Sequence, residues 1–370
     1  MMTHVIICLD GCAPDYLAAS ETPNLDAIAR EGFHAIGAAV VPTVTNVNNT
    51  SIITASYPEI HGITSNYFID PASGEEVYME SPTYLLAETA FRRIARSGGK
   101  SVLLTAKDKL KTLIRDGAAI AESAEKPSAW LSERVGAPPG IYTIEVNHWL
   151  LQAALTVLRE EKPDFIYVST TDFVTHTHPP DSDPARWNIG EIDRLIGEIV
   201  NASNDLEMVV TADHGMNAKT RALNLSSILN QAGIDGQAIP IIKDLHVVHH
   251  QNLGGAAYVY LRDPSSAPEA MAVLKEEKGV EAVLTAVEAS REYHLHPGRI
   301  GHLFVLADRD TVFGDLPSLR EEIHVRSHGS LHEREIPIYA LGAGPLSIRP
   351  RSNSAVASWL FASQVLKKAS

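Results

Sequence analysis

Short runs of apolar, β-branched residues alternate with amphipathic helical patterns along most of the chain. Runs that are apolar at consecutive positions are typical of strands buried on both faces, whereas apolar residues spaced three and four apart favour helices. We therefore predict an α/β fold with a mostly parallel central sheet and helices on both faces. The predicted strands lie in residues 4–10, 100–106, 164–172, 207–215 and 336–344, and the clearest helices in residues 147–161 and 189–203.

The pattern changes between residues 219 and 322. Here "GGAAYVYLRD" and "GHLFVLADRDTVFG" indicate strands, and "SAPEAMAVLKEEKG" indicates a helix that ends at a glycine. We interpret residues 219–322 as a small α+β cap domain, inserted over the site into a core formed by residues 1–218 and 323–370.

The composition restricts the partners that we expect. The 370 residues carry a formal net charge of -14, which argues against nucleic acid or an anionic membrane surface as a partner. A small anion could still be bound, but only in a locally cationic pocket. Apolar runs stay below the roughly 18 residues that a membrane span needs, and the first residues do not resemble a signal peptide. We therefore expect a cytoplasmic protein in which Cys8 and Cys12 are reduced and inert.

Three predicted strands end in an acidic residue, namely Asp10, Asp172 and Asp213. Ligands of open α/β sheets bind outside the carboxyl ends of the strands. A single aspartate there is usually a helix cap, but three carboxylates gathered at one edge would repel one another unless a cation held them.

Histidines accompany these acids. His176 follows Asp172 by four residues, His214 comes directly after Asp213, and His328 precedes a glycine. Carboxylate oxygens and imidazole nitrogens suit zinc or a similar divalent ion, and manganese and iron are alternatives.

Six motifs occur in one order along nearly the whole chain. They are "LDG" (9–11), "TNVNN" (45–49), "YPEIHGITSNYF" (57–68), "TTDFVTH" (170–176), "ADHGM" (212–216) and "SHG" (327–329). On these motifs the chain resembles the alkaline phosphatase superfamily, in the branch that holds phosphonoacetate hydrolases and nucleotide pyrophosphatases/phosphodiesterases.

The resemblance implies two zinc ions per subunit and an alkaline phosphatase-like fold. Asp172, His176 and His328 match the ligands of one zinc; Asp10, Asp213, His214 and the Thr45 oxygen match those of the other. Thr45 matches the nucleophile and Asn66 an asparagine that donates a hydrogen bond to a phosphoryl oxygen, and His176 and His328 also face the substrate. A homodimer is compatible with the resemblance.

Thr45 has two interpretations. It stands where an extended segment becomes helical, so it is either a helix N-cap or a nucleophile, and the two roles are compatible. A divalent ion on its oxygen would lower the hydroxyl pKa, and the positive end of the helix dipole would stabilise the attacking oxygen. We favour the nucleophile.

Lys107 and Lys109 follow the predicted strand at residues 100–106. They are similar to the lysine pair that binds the substrate carboxylate in phosphonoacetate hydrolases, although a solvated surface is the alternative. The resemblance thus implies a di-zinc hydrolase that cleaves the C–P bond of phosphonoacetate through a phosphothreonine. The alternatives are a nucleotide pyrophosphatase/phosphodiesterase, and a catalytically dead metal-binding protein, which would be expected to lack a matched residue.

Further lysine and histidine side chains lie in or near these motifs. Lys219 is a third candidate cation near the site, whereas His61 and His178 are interpreted as packing or supporting residues. The segment "HVVHH" (246–250) is a weaker candidate metal cluster, because its one acidic neighbour is Asp244.

Overall fold

The computed structural model describes residues 2–244 and 251–362, so the "HVVHH" segment lies outside the described residues. Along this part of the chain the strands are β1 Thr3–Cys8, β2 Phe33–Ala38, β3 Tyr67–Ile69, β4 Glu76–Tyr78, β5 Ser101–Thr105, β6 Ile120–Ser123, β7 Phe165–Ser169, β8 Leu206–Thr211, β9 Asn217–Leu223, β10 Gly236–Pro240, β11 Ala256–Leu261, β12 Val280–Thr285, β13 Leu303–Ala307, β14 Thr311–Phe313, β15 Arg320–Ser327 and β16 Glu335–Leu341.

Helices occupy many of the connections between these strands. In chain order they are α1 Pro14–Ala18, α2 Pro23–Glu31, α3 Thr45–Thr54, α4 Pro58–His61, α5 Ala90–Arg96, α6 Asp108–Ile114, α7 Ala129–Val135, α8 Glu145–Glu161, α9 Phe173–Thr177, α10 Asp183–Asn201, α11 Leu225–Gln231, α12 Ala267–Lys275, α13 Ala286–Tyr293, α14 Ala343–Ile348 and α15 Ser358–Phe361. In the described part of the chain, none of them combines the length and the apolar character that crossing a bilayer requires.

Seven strands of the described chain form the central sheet, in the order β2-β16-β8-β1-β7-β5-β6. The pairs among β8, β1, β7, β5 and β6 are parallel, and β16 runs antiparallel to both β2 and β8. Cys8 of β1 is aligned with Ser169 of β7 and with Thr211 of β8. Three neighbouring strands therefore end at the same level.

The four inner parallel strands β1, β5, β7 and β8 are buried at every position. Because successive side chains of a strand point to opposite faces, both faces of the sheet are covered. This confirms the predicted α/β fold with a mostly parallel central sheet. Helix α10 begins earlier than the apolar pattern indicated, because Ser182 and Pro184 provide a start signal ahead of the first apolar turn.

A second sheet of the described chain has the strand order β10-β11-β13-β12 and is antiparallel. It packs around a separate apolar cluster that includes Leu229, Val259, Leu274 and Val305. Strands β9 and β15 pair with each other at the two ends of this segment, together with β14. The division into a core and a cap at residues 219 and 322 stays a prediction.

The start of α2 depends on a buried acid of α10. Thr22 at the N-cap makes no side-chain hydrogen bond, and Asp193 accepts instead from the backbone N–H groups of Asn24 at 3.1 Å and Leu25 at 2.8 Å. Asp193 is 1% exposed, so its removal would leave buried donors without a partner.

We expect Asp193→Ala to lower the free energy of unfolding in urea by about 2 kcal/mol, since a cap and buried hydrogen bonds are lost together. Asp183→Ala on the same helix is the matched control, because its exposed ion pair with Arg186 contributes little. Equal stability of the two variants would contradict this role of Asp193.

Candidate active site

Three carboxylates converge where β1, β7 and β8 end. Asp10, Asp172 and Asp213 follow these strands, and they are 5%, 3% and 0% exposed. Burial and the neighbouring Asp172 and Asp213 carboxylates raise the pKa of Asp10 well above its usual range. Burial, with a further contribution from Asp172, raises the pKa of Asp213 to about 7. The three negative charges are therefore strongly unfavourable without a cation.

Glycine is required inside the "LDG" motif. Gly11 has a φ of +68°, and a Cβ there would lie 2.5 Å from Thr175 Oγ1 and 3.2 Å from Asp172 Cβ. Its N–H donates to Asp213 Oδ1 at 3.1 Å. The glycine thus lets the backbone pass close to one acid while it orients another.

Each of the three predicted imidazoles is held at Nδ1 by a backbone carbonyl. Nδ1 of His176 donates to Arg326 O at 2.7 Å, that of His214 to Gly215 O at 2.9 Å, and that of His328 to Thr43 O at 2.7 Å. A carbonyl oxygen only accepts, so Nδ1 of each ring carries a proton, and Nε2 is the nitrogen through which a metal could be bound. The carbonyls thus set the ring orientations that metal binding through Nε2 requires.

These Nε2 atoms face the carboxylates. The distances are 3.0 Å from His176 and 3.7 Å from His328 to Asp172 Oδ2, and 3.5 Å from His214 to Asp10 Oδ1. A divalent ion at this place could be bound by the imidazole nitrogens and the carboxylate oxygens together. Asp10 Oδ1 is also buried without a hydrogen bond from any described residue. The donors therefore fit a divalent metal.

The donor atoms form two overlapping groups, each within 4.8 Å. One group contains Asp172, His214 and His328, and the other contains Asp10, Asp213 and His214. His176 adjoins the first group through Asp172. The structure thus brings together the six acids and imidazoles among the seven predicted ligands, and their division between two ions stays a prediction.

Thr45 is the first residue of α3, and Val44 occupies the N-cap position with extended backbone angles. The interpretation of Thr45 as an N-cap is therefore wrong. Its Oγ1 lies 3.4 Å from His214 Nε2. The hydroxyl is thus available at the cluster, next to the free N–H groups of the first turn.

Buried asparagines support this helix, and the sequence did not assign them a role. Asn49 Nδ2 donates to Asp213 Oδ2 at 3.1 Å, while its Oδ1 accepts from the Tyr167 hydroxyl at 2.7 Å. Asn353 Nδ2 donates to the Asp213 carbonyl at 3.0 Å. The sequence feature that could have indicated the role of Asn49 is "TNVNN", a run of polar residues at the start of a helix whose residues from Asn46 to Thr54 are buried.

One cavity joins the cluster to the remaining predicted residues. Its lining includes Thr45, Asn66, Lys107 and Lys109 together with Asp10, Asp172 and His328. The Asn66 side chain is buried, and its Oδ1 accepts no hydrogen bond from a described residue. An amide with spare hydrogen-bonding capacity therefore borders the same space as the Thr45 hydroxyl.

The two lysines are engaged by acids at the cavity. Lys107 Nζ lies 3.6 Å from Asp172 Oδ1. Lys109 forms an ion pair with Asp244 and lies 3.9 Å from Glu80 Oε1. Burial opposes the charge of Lys107, but Asp172 and Asp244 raise its pKa. Lys107 is thus held charged, and both lysines are paired with acids at the cavity wall and not on a solvated surface.

The other candidate side chains lie elsewhere. Lys219 is not part of the cavity lining, because its ammonium is buried against Glu333 at 2.8 Å; its interpretation as a site cation is wrong. His61 is fully buried and contacts Ser51 Oγ at 2.9 Å, and burial lowers its pKa to about 3. His178 accepts a hydrogen bond from Tyr16 through its carbonyl at 2.7 Å.

Comparisons with known proteins agree with this geometry. The sequence profile of the family described as Type I phosphodiesterase / nucleotide pyrophosphatase matches residues 4–331. An uncharacterized pyrophosphatase/phosphodiesterase of Schizosaccharomyces pombe is 25% identical in an alignment 246 residues long that covers 63% of this chain and 49% of that protein. The chain thus spans about half the length of this curated relative.

Solved structures extend the likeness to the whole fold. Phosphonoacetate hydrolase from Sinorhizobium meliloti 1021, in complex with phosphonoformate, is 32% identical with a TM-score of 0.87, over 99% of this chain and 96% of that one. Its complex with phosphonoacetate gives a TM-score of 0.86. Alkaline phosphatase PafA, 17% identical over 97% of this chain and 95% of its own, shares the fold with a TM-score of 0.70. The chain therefore belongs to the type I phosphodiesterase/nucleotide pyrophosphatase family, and it shares the fold of alkaline phosphatase.

Proposed function

We propose that this chain is a di-zinc hydrolase that cleaves the C–P bond of phosphonoacetate to acetate and phosphate through a phosphothreonine at Thr45. The observation that carries the proposal is the shared cavity lining of Thr45, Asn66, Lys107 and Lys109 beside the acidic cluster. A nucleophile, an amide donor and two cations suit a small substrate with a phosphonate at one end and a carboxylate at the other. The likeness to phosphonoacetate hydrolase over 99% of the chain supports it.

The proposed ligands of the two ions are Asp172, His176 and His328 for one, and Asp10, Asp213, His214 and Thr45 for the other. When bound, such ions lower the pKa of a hydroxyl and offset the charge of an anionic substrate. The carbonyls that hold the imidazoles at Nδ1 fix the ring orientations that this requires.

Thr45 performs the chemical step. Its hydroxyl loses its proton to solvent, and Oγ1 forms a bond to phosphorus as the opposite P–C bond breaks. The first turn of α3 directs unpaired N–H groups towards the phosphoryl oxygens, and the Asn66 amide donates a further hydrogen bond. Attack by water on the phosphothreonine then releases phosphate and restores the hydroxyl.

The carbon leaving group explains the two lysines. The electron pair of the broken P–C bond delocalises into the substrate carboxylate, and the carbon then takes a proton from solvent. An ammonium group at that carboxylate stabilises the developing charge by about 3–4 kcal/mol. Lys107 and Lys109 are suited to this role, with the substrate carboxylate competing against Asp244 for Lys109.

A phosphodiesterase is the second candidate, because the family profile and the yeast relative carry that description. It would need a surface on which a nucleotide base stacks. Among the described residues, the lining of the cavity contains no phenylalanine, tyrosine or tryptophan. The cavity therefore favours the small substrate. A homodimer and a cytoplasmic location stay predictions.

Thr45→Ala should reduce turnover of phosphonoacetate by about 10³-fold or more, because the nucleophile is lost. Thr45→Ser keeps a hydroxyl and should retain much of the rate. Metal analysis should find two zinc ions per chain in wild type and in Thr45→Ala alike, and EDTA should abolish the wild-type rate until zinc is restored. A near-wild-type rate in Thr45→Ala would exclude Thr45 as the nucleophile.

The substrate is tested by phosphate or nitrophenol release from phosphonoacetate, a nitrophenyl phosphomonoester and a nitrophenyl phosphodiester. Lys107→Ala and Lys109→Ala should lower kcat/KM for phosphonoacetate by about 100-fold and for the two esters by much less, since the esters carry no carboxylate. Lys126→Ala, an exposed cation paired with Asp108, is the matched control.

Equal losses on all three substrates would contradict the role of the lysines. Wild-type protein that hydrolyses the phosphodiester but not phosphonoacetate would favour the second candidate.

A further inference from the structure

Lys219 and Glu333 form an ion pair whose side chains are both 0% exposed, with Nζ 2.8 Å from Oε1. Neither residue lines the active-site cavity. Two charges removed from water are costly, and a buried pair often contributes no more stability than apolar side chains of the same size. A role in positioning other groups would account for this pair.

Both side chains of the pair make further hydrogen bonds. Lys219 Nζ also donates to the Arg309 carbonyl at 2.8 Å. Glu333 Oε1 accepts from Asn217 Nδ2 at 2.8 Å, and Glu333 Oε2 accepts from the Ser330 N–H at 2.9 Å and from its hydroxyl at 2.8 Å. The carboxylate thus joins β9 to the turn after β15.

Short chains of hydrogen bonds lead from this pair to two imidazoles. The Gly215 N–H donates to the Glu333 carbonyl at 2.8 Å, and the Gly215 carbonyl accepts from His214 Nδ1. On the other side, Thr43 Oγ1 donates to the Ser330 carbonyl at 2.9 Å.

Thr43 completes the second chain, because its carbonyl accepts from His328 Nδ1 at 2.7 Å. The rings of His214 and His328 stack with centroids 3.7 Å apart and an interplanar angle of 12°. These rings belong to the proposed ligand sets of different ions, so their separation bears on the distance between the two metals.

We propose that the buried Lys219–Glu333 pair is a positioning element that fixes the spacing of the His214 and His328 rings and thereby retains the two metal ions. This inference rests on the proposed function in one respect, namely that the cluster binds two ions. It assigns a role to a charge pair that takes no part in the chemical step.

The test measures zinc release and not turnover. Zinc-loaded wild type, Lys219→Met and Glu333→Gln are mixed with excess colorimetric zinc chelator, and the melting temperature is measured with and without zinc. We expect release to be about 10–100-fold faster in both variants, as for other residues that orient metal ligands. The rise in Tm on zinc binding should shrink as well.

Glu207→Gln is the matched control. Glu207 is a buried acid at the opposite end of β8, paired with His4 at 3.1 Å. Its substitution should lower both melting temperatures alike and leave zinc release unchanged. The double variant Lys219→Met/Glu333→Met leaves no unpaired buried charge, so it should fold even where a single variant does not, and it should still release zinc rapidly.

Wild-type rates of zinc release in the double variant, with an unchanged zinc-dependent rise in Tm, would overturn the inference while leaving the proposed function intact. Wild-type protein that binds no divalent metal would contradict the proposed function and the inference with it.

Discussion

Repulsion among three buried carboxylates is the constraint on which the rest of the structure depends. The register of β8, β1 and β7 makes the strands end together, so Asp10, Asp172 and Asp213 are forced into one place. An uncompensated buried charge costs several kcal/mol, and the raised pKa values of Asp10 and Asp213 are the direct expression of that cost. The arrangement is stable with ionised acids when cations share the site.

The surrounding polar groups are arranged around this constraint. The His328 imidazole cannot supply the missing charge, because burial and the neighbouring His214 and His176 lower its pKa well below the usual value. All three imidazoles are held by backbone carbonyls, while Asn49, itself held by Tyr167, fixes the orientation of Asp213. A buried polar network of this kind holds its side chains in one arrangement when every member has a hydrogen-bond partner.

The strands and acids that build the site were predictable from the sequence, because continuous apolar runs followed by an acid are local signals. The N-cap residue of α3 was not predictable, because the sequence does not show whether the backbone becomes helical at Thr45 or one residue later. The position of Lys219 was predicted wrongly for another reason. Lys219 is close to His214 in the sequence, but its buried partner Glu333 is more than 100 residues away and could not be identified from the sequence. The role of Asn49 was missed for the same reason, because its partners Asp213 and Tyr167 are remote from it in the sequence.

The charges of the cavity also couple the proposed binding of metal ions to the binding of an anionic substrate. Its lining holds the carboxylates of Asp10, Asp172 and Asp244 against the ammonium groups of Lys107 and Lys109, so with all acids ionised the described lining is net negative. The chain as a whole, at -14, adds no long-range attraction for an anion. An anionic substrate therefore gains a favourable potential only after cations have neutralised the acidic cluster. Under the proposed function, metal binding therefore favours substrate binding, and substrate affinity should fall as metal occupancy falls.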